Sequence, residues 1–313
     1  MIEVLPYQNS RKEEWDGFVR RSKNGNFLFY RDFMEYHADR FTDASVLLYK
    51  KGELLALLPA SVRGTKILSH EGLTFGGMLL PPETASPDIL EAVAAFVRYF
   101  KSRGMTSIGY KAIPFVFNKN FSSEDLYALS RAGFRLAGRS LSSVILLNDP
   151  LPLSRDRRSR INKSRKRRFS VEASENVAEF MDVVNTNLRS KGVTAVHSHN
   201  ELSRLMARFP ENIQLYVAKQ NGALLAGAVL FLDNDYVHTQ YLHANADGRK
   251  VDAVDHLVST LVNRFRSKGK RFFSFGISTE NNGARLNDGL IRFKEGFGAG
   301  GLVHDYYVLE LSP

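Results

Sequence analysis

The sequence predicts an α/β (α+β) protein made of two tandem copies of one domain, each a mixed, largely antiparallel sheet flanked by helices. In both halves a hairpin, an amphipathic helix and an alternating strand follow one another in the same order. The helices expected at 87–103 and 252–268 place apolar residues at positions that differ by 165, and each ends at a Gly that suits a helix C-terminus. We therefore divide the chain into domains 1–150 and 151–313.

The hairpin turns are the clearest local signal. An Asn-Gly pair at 221–222 lies between two apolar runs, and both residue types tolerate the positive φ that a tight hairpin requires. A Lys-Gly pair at 51–52 occupies the same place in the first half, and Leu-Leu-Ala follows soon after both turns. We expect residues 45–112 and 214–277 to form the same unit with the same strand order.

The remaining elements follow from local patterns. Residues 11–40 carry the apolar spacing of two short helices, and 148–154 contains the two prolines of a linker. Helices are also expected at 176–189 and near 200–208. The glycine-rich stretch 72–77 lacks the Lys-Ser/Thr of a phosphate loop, so it predicts a turn or strand bulge, with a ligand contact as the less favoured alternative.

The composition excludes several kinds of site. The chain has no cysteine, which removes disulfides, thiolate nucleophiles and cysteine metal sites. It has no run of about 18 apolar residues and begins without a signal-peptide pattern, so we expect no membrane span and a cytoplasmic protein. His197 and His199 flank a Ser without a third ligand nearby, and metal sites usually need three or four, so we expect no metal site.

The positive charge is concentrated in one segment. The chain has a formal net charge of +10, and residues 155–168 contain nine Lys or Arg and one Asp, which is +8. Like charges at this density repel one another, so the segment is either a solvated surface or a binding surface for an anionic partner.

A second basic stretch follows the strand expected at 235–241. Gly248, Arg249 and Lys250 precede the helix at 252–268. Free backbone amides and the helix dipole make a helix N-terminus a site for anions. We therefore expect these three residues to bind the anionic part of a cofactor.

This order of elements resembles the GNAT acyltransferase fold, in which an Asn begins the penultimate helix and a Gly-Phe pair ends it before the last strand. Two such domains in one chain resemble the Fem family of peptidoglycan aminoacyltransferases. The resemblance rests on the stretch 282–297, on Trp-Asp-x-Phe-Val at 15–19, on Arg160-x-x-Lys163, and on Phe293-Lys294-x-x-Phe297.

The resemblance implies acyl transfer from acyl-CoA, or from aminoacyl-tRNA as in Fem enzymes, within a cleft of the second domain. It implies that Lys294 stabilises negative charge in the transition state, and that Phe293, Arg160 and Lys163 contact the substrate. The first domain would be a degenerate copy that supports the acceptor.

The residues themselves permit direct attack by an amine on the acyl group, because no serine nucleophile motif and no cysteine is present. Tyr241 and Glu280 are the proton acceptors we favour near the strand ends of the second half. Further candidates are His243, Asp255 and His256; Asp255 and His256 lie in the first helical turn, where capping and exposure to solvent explain them better than catalysis does.

Three functions remain open from the sequence. The favoured one moves an acetyl or aminoacyl group to an amine of a sugar, a nucleotide-linked sugar or a cell-wall precursor. The second is an aminoacyl-tRNA-dependent transferase of the Fem type, with tRNA as a partner. The third is a non-catalytic RNA- or nucleotide-binding protein that uses residues 155–168, although only Phe169 offers a nearby aromatic for base stacking.

Overall fold

The computed structural model describes residues 1–190 and 192–311, and these form two compact units. The first unit contains Met1–Ser140, Glu280–Arg285 and 303–311. The second contains Leu141–Thr279, without residue 191, and Leu286–Leu302.

The first half of the chain contains strands, α-helices and short 3-10 helices. Its strands are β1 (Ile2–Pro6), β2 (Thr42–Asp43), β3 (Val46–Lys50), β4 (Glu53–Leu58), β5 (Ser61–Arg63), β6 (Lys66–Leu68), β7 (Ser107–Lys111) and β8 (Arg135–Leu146). Its α-helices are α1 (Lys12–Arg21), α2 (Arg31–Met34), α3 (Ser86–Lys101) and α4 (Glu124–Arg131). The 3-10 helices are Asn9–Arg11, Phe27–Phe29, Glu35–His37 and Phe115–Phe117.

The second half repeats the alternation of helices and strands. Its helices are α5 (Arg155–Arg165), α6 (Val177–Arg189), α7 (His199–Arg208), α8 (Ala246–Lys250), α9 (Ala253–Ser267) and α10 (Asp288–Glu295), with a 3-10 helix at Asn281–Gly283. Its strands are β9 (Ser170–Ser174), β10 (Ile213–Gln220), β11 (Ala223–Asp233), β12 (Tyr236–Ala244), β13 (Phe272–Ile277), β14 (Thr279–Glu280), β15 (Arg285–Leu286) and β16 (Gly300–Glu310). The predicted α/β fold class is confirmed.

The two hairpins have the same backbone geometry. The turn at 51–52 has φ values of 52° and 84°, and the turn at 221–222 has 51° and 82°. Each hairpin also has a register shift three residues before its turn, at Leu48/Tyr49 and at Ala218/Lys219. Because these details recur together, the two hairpins are copies of one supersecondary unit.

Each unit also has one parallel strand pair that separates after three residues. In the first unit β6 and β7 pair from Lys66 to Leu68, and in the second β12 and β13 pair from Tyr236 to His238. The intervening helices α3 and α9 end before Gly104 and Gly269, whose φ values of 75° and 77° are those of helix C-terminal glycines. The predicted helices and their glycine ends agree with the structure.

The first unit departs from the second in the middle of its sheet. In the second unit β11 pairs directly with β12, whereas in the first β4 pairs only with β3 and forms a single bridge from Leu57 to Leu79. The expectation of one strand order in both halves is therefore wrong at this point. The small strands β2, β5 and β6 form a separate group that leads to β7.

The glycine-rich stretch 72–77 lies beside the place where β6 and β7 separate. Lys111 is largely buried, and its ammonium donates to the carbonyl oxygens of His70, Glu71 and Leu73. The amide of Gly76 donates to the carbonyl of Lys111 at 3.2 Å. These bonds hold the stretch in a fixed conformation, which agrees with the turn expected there.

The end of the chain belongs to the first unit. Residues 306–310 of β16 pair antiparallel with β7, while residues 142–146 of β8 pair with β13 of the second unit. The predicted single cut at residue 150 misses this exchange of last strands. Strand pairing depends on register between segments far apart in the chain, which local periodicity does not encode.

Each unit has its own apolar core. In the first, Trp15 is fully buried and its indole N–H donates to the carbonyl of Phe29 at 2.8 Å. In the second, the largest buried side chains include Phe180, Phe265 and Phe273. Within the described residues, none of the helices combines the length and the apolar character that crossing a bilayer requires.

We expect the last strand to stabilise the first unit. The amides of Ala112 and Leu311 bond across the β7–β16 pair, so by alternation Leu309 faces Ile108 in a hydrogen-bonded pair. Leu309→Pro removes that amide and should lower the free energy of unfolding by about 2 kcal/mol or more. Leu309→Val keeps the amide and is the control. Equal urea midpoints for the two variants would contradict this pairing.

Candidate active site

The second unit contains a cavity of about 810 Å³. It lies between the start of α5, the end of β12, the first turn of α9 and helix α10. Its charged and polar lining residues are Ser154, Asp156, Arg157, Arg160, Asn187, Ser190, His243, Arg249, Asp252, Asp255 and Arg292. We refer to it as the arginine cavity, because four of these side chains are arginines.

A buried ion pair forms one wall of the arginine cavity. The guanidinium of Arg157 donates to the carboxylate of Asp255, and their side chains are only 9% and 7% exposed. Burial raises the pKa of Asp255, and the charge of Arg157 opposes that rise. A buried carboxylate without such a partner would be strongly destabilising, so the two residues depend on each other.

Arg157 also fixes helix α10. Its guanidinium lies 4.6 Å from the ring centre of Phe293 and 4.2 Å from that of Phe297, and it donates to the carbonyl oxygen of Phe293 at 3.2 Å. Two aromatic faces and one carbonyl therefore hold this side chain in a single orientation. Through Arg157, the N-termini of α5 and α9 are joined to the C-terminal turn of α10.

Helix α9 begins abruptly at the cavity. Asp252 has a left-handed backbone with φ 56°, which separates α9 from the short helix α8. Its carboxylate accepts a hydrogen bond from Arg160 at 3.2 Å, and Arg160 also donates to Asp156 at 2.9 Å. The first-turn residues of α9 line the cavity, and a helix's first amides lack acceptors within the helix.

The stretch expected to be an anion loop is instead the helical turn α8. The amide of Gly248 donates to the side chain of Asn245 at 2.7 Å, and the amide of Arg249 donates to the backbone carbonyl of Asn245 at 3.1 Å. A Cβ at position 248 would lie 2.0 Å from the carbonyl oxygen of Leu225. Gly248 is therefore explained by close packing, and its amide already has a partner.

The two cations of α8 differ in position. Arg249 lines the arginine cavity and donates to Asn187 and to the carbonyl oxygen of Ala244, each at 2.9 Å. Lys250 does not line it; its side chain is 73% exposed and pairs with Asp247. Of the three residues expected to bind a cofactor, only Arg249 has both the charge and the position.

Lys294 does not point freely into the cavity. It is 5% exposed, and its ammonium donates to the carbonyl oxygens of Gly276 at 2.8 Å and Ile277 at 2.7 Å. These carbonyls lie on β13 beyond its last pairing with β12. Burial lowers the pKa of Lys294 to about 8. An ammonium has three N–H groups, so one donor remains.

The aromatic and histidine candidates lie at different depths. Tyr241 is buried; its hydroxyl lies 2.9 Å from Nδ1 of His197 and accepts from the amide of His197 at 3.1 Å. Burial raises the pKa of Tyr241. His243 lines the cavity, whereas burial lowers the pKa of His256, which lies next to Ser164. His199 is exposed at the start of α7.

Two further predicted residues lie away from the cavity lining. Glu280 is exposed, lies 3.8 Å from Arg285 and belongs by its contacts to the first unit. Lys163 is exposed on α5 and is not part of the lining. Phe293 and Arg160 do line the cavity, as expected. The penultimate helix is capped by the side chain of Asn287, not by Asn282.

Sequence reasoning missed Arg157, the most constrained charge in the site. A signal was present: Arg157, Ile161 and Ser164 are spaced by four and three residues, and all three are buried on one side of α5. An arginine on the buried stripe of an otherwise exposed basic helix predicts a buried partner. Asn187 and Arg292, which complete the lining, carry no comparable signal.

The lining is suited to an anion rather than a metal. Arginine side chains are donors only and match phosphate and carboxylate oxygens, and the volume lies in the usual range for ligand sites. The described residues contain no cluster of three or more His, Cys, Asp or Glu that could hold a metal ion.

We expect the Arg157–Asp255 pair to be a strong contributor to stability. Arg157→Met should lower the free energy of unfolding by about 3 kcal/mol or more, because Asp255 stays buried without its partner. Adding Asp255→Asn should recover part of that loss. The deficit of Arg157→Met should also shrink as the pH falls through the raised pKa of Asp255, where protonation removes the unpaired charge. Urea unfolding of both single variants and the double variant measures this, and a pH-independent deficit with no recovery would contradict it.

Comparison with known proteins agrees with this architecture. The family model for the acetyltransferase (GNAT) domain matches residues 154–294. No curated protein sequence matches the chain.

Several solved structures share the fold. FemX is 13% identical, with a TM-score of 0.70 and coverage of 99% of this chain and 97% of its own. L-PGS from Bacillus licheniformis is 12% identical, with a TM-score of 0.65 and coverage of 96% and 91%. A tandem GNAT protein from the clavulanic acid biosynthesis pathway is 12% identical, with a TM-score of 0.55 and coverage of 100% and 99%. Residues 154–294 therefore form a GNAT acetyltransferase domain, and the chain as a whole shares its fold with FemX and with a tandem GNAT protein.

Proposed function

We propose that the second unit transfers an acetyl or aminoacyl group to an amine, with the anionic part of the donor held in the arginine cavity. The observation that carries the proposal is the position of that cavity. It lies at the first turn of α9, between arginines on α5, α8 and α10. Those arginines would hold phosphate groups. Lys294 follows directly after the two cavity-lining residues Arg292 and Phe293 in α10.

Each residue has a defined part in this proposal. Arg160 and Arg249 bind the anionic part of the donor through side-chain N–H groups, because the amides of α8 are engaged within the turn. Lys294 donates its remaining N–H to the carbonyl oxygen of the acyl group, where negative charge develops as the amine attacks. Of the candidate proton acceptors, His243 lines the arginine cavity, whereas the raised pKa of the buried Tyr241 keeps its hydroxyl protonated, so His243 takes this role in the proposal.

The donor is proposed in two forms. Acyl-CoA carries a diphosphate that two arginine side chains and a helix N-terminus could bind. Aminoacyl-tRNA is the alternative, and two observations favour it as a second candidate. The α8 turn leaves few loop amides for a diphosphate, and the chain shares its fold with FemX at a TM-score of 0.70.

The acceptor is proposed to be an amine of a sugar, a nucleotide-linked sugar or a cell-wall precursor, encountered in the cytoplasm. We propose that the first unit supports the acceptor without performing the chemistry. In that unit the carbonyls of residues 70, 71 and 73 engage Lys111 beside the point where β6 and β7 separate. The corresponding point of the second unit, where β12 and β13 separate, is where we place the acyl group.

The donor assignment predicts a separation between binding and chemistry. Thermal melting with acetyl-CoA, longer acyl-CoAs and aminoacyl-tRNA identifies the donor. Arg160→Ala and Arg249→Ala should then raise the KM for that donor about tenfold and leave kcat largely intact, because they remove uniform binding. Lys250→Ala is the matched control, since this neighbouring cation lies outside the cavity. An equal effect of Lys250→Ala, or no effect of either arginine, would contradict the placement of the donor.

Titration of Lys294 should produce a fall in kcat on the alkaline side of its pH profile. Its pKa is lowered to about 8, and the proposed role requires the protonated form. The kcat should therefore fall as the pH rises through about 8, since the hydrogen-bond donor loses its charge. Lys294→Arg stays protonated and should shift that fall to higher pH, while Lys294→Met should lower kcat by about 100-fold or more.

Lys294→Met leaves the carbonyls of Gly276 and Ile277 without their donor, so it could also misfold. Circular dichroism and thermal melting of both Lys294 variants distinguish a loss of catalysis from a loss of folding. A folded Lys294→Met variant with full activity would remove Lys294 from the mechanism. An unchanged alkaline fall in kcat in Lys294→Arg would assign that fall to another group.

A further inference from the structure

Most cations of α5 and the residues after it lie outside the arginine cavity. Among the described residues, Arg157 and Arg160 have carboxylate partners, but the other seven cations of the cluster are exposed without one. These seven are Arg155, Arg158, Lys163, Arg165, Lys166, Arg167 and Arg168. Such a density of unneutralised charge raises the energy of the free protein unless an anionic partner compensates it.

The backbone gives this charge a fixed face. The buried residues of α5 form one stripe; Arg155, Arg158, Lys163 and Arg165 are exposed on the rest of the helix, and Lys166, Arg167 and Arg168 follow its last turn. The helix is capped at its start by the side chain of Ser154, which accepts from the amide of Arg157 at 3.2 Å. The cations therefore form an ordered surface rather than a flexible tail.

An exposed apolar side chain lies beside the cations. Leu151 is 58% exposed, just before α5 in the chain. A second cavity of about 340 Å³ adjoins it and Arg165. Its lining is Ile145, Pro150, Leu151, Pro152, Leu153, Ile161, Arg165, Ser259, Val262, Asn263, Arg266 and Phe297, which is mainly apolar with two arginines.

Cations combined with exposed apolar groups favour a lipid surface over a nucleic acid. Single-stranded nucleic acids are held by aromatic side chains on which bases stack. The described residues 146–170 contain one aromatic, Phe169, which is only partly exposed and packs edge-on against His256 at 5.1 Å. An anionic bilayer needs cations for its phosphates and apolar groups for its interface, and both are present.

We propose that residues 151–168 form a docking surface for an anionic lipid bilayer. The exposed cations of α5 contact lipid phosphates, and Leu151 enters the bilayer interface. The small apolar cavity beside Arg165 offers room for part of a lipid chain whose phosphate pairs with that arginine. Bilayer docking is separate from the chemistry of the arginine cavity and does not depend on which donor is used.

The test is sedimentation of the full chain with vesicles of phosphatidylcholine, with and without phosphatidylglycerol. The full chain should sediment with the anionic vesicles alone, and added salt should weaken this binding. A basic-surface variant replaces Arg158, Arg165, Lys166 and Arg167 with Ala. It should bind at least about 20-fold more weakly, because each cation near an anionic bilayer contributes about fivefold.

A matched control removes the same charge elsewhere, by replacing the exposed Lys66, Arg98, Lys101 and Arg131 with Ala. This control should bind anionic vesicles within about twofold of the full chain, since the attraction of cations to an anionic bilayer falls off within a Debye length of its surface. Leu151→Ser should lower the binding that persists at high salt, because the apolar contact is not screened.

Three outcomes would overturn the proposal. The first is no sedimentation with anionic vesicles. The second is equal weakening in the basic-surface variant and its control, which would mean that net charge alone acts. The third is that the basic surface binds RNA while anionic vesicles fail to compete, which would assign the cluster to a nucleic acid.

Discussion

The second unit depends on one buried interaction, the ion pair of Arg157 and Asp255. Its two members come from different helices, α5 and α9, and the guanidinium lies over the rings of Phe293 and Phe297 at the end of α10. Charges this deeply buried are tolerated only when partners and hydrogen bonds replace water. The pair therefore fixes how three helix ends meet, and the arginine cavity is the space they enclose.

The two units share one backbone arrangement but use a lysine differently where their parallel strands separate. Both keep the hairpin with its shifted register and the parallel strand pair that ends after three residues. Past that point the first copy binds its own loop with Lys111, while the second binds the carbonyls of β13 with Lys294. In both units, therefore, a largely buried lysine donates hydrogen bonds to backbone carbonyls near the point where the parallel strands separate. The two lysines come from different elements.

Local signals in the sequence predicted most elements but not the most constrained side chains. Turn glycines and helix periodicity are encoded within a few residues, so the hairpins and the helices α3 and α9 were predictable. The partners of Lys294 and the packing of Gly248 against Leu225 depend on segments far apart in the chain. The pairing of residues 306–310 with the first unit could not be predicted for the same reason, because the register of this strand is set by β7 and not by its own sequence pattern.

The central claim is that the arginine cavity holds the anionic part of the acyl donor. The most direct measurement is a crystal structure with a non-reactive analogue of the donor that the melting screen identifies. We expect phosphate oxygens within hydrogen-bonding distance of Arg160 and Arg249 at the first turn of α9, with the acyl carbonyl directed toward Lys294. Phosphates bound elsewhere in the molecule, with the arginine cavity unchanged, would contradict this account.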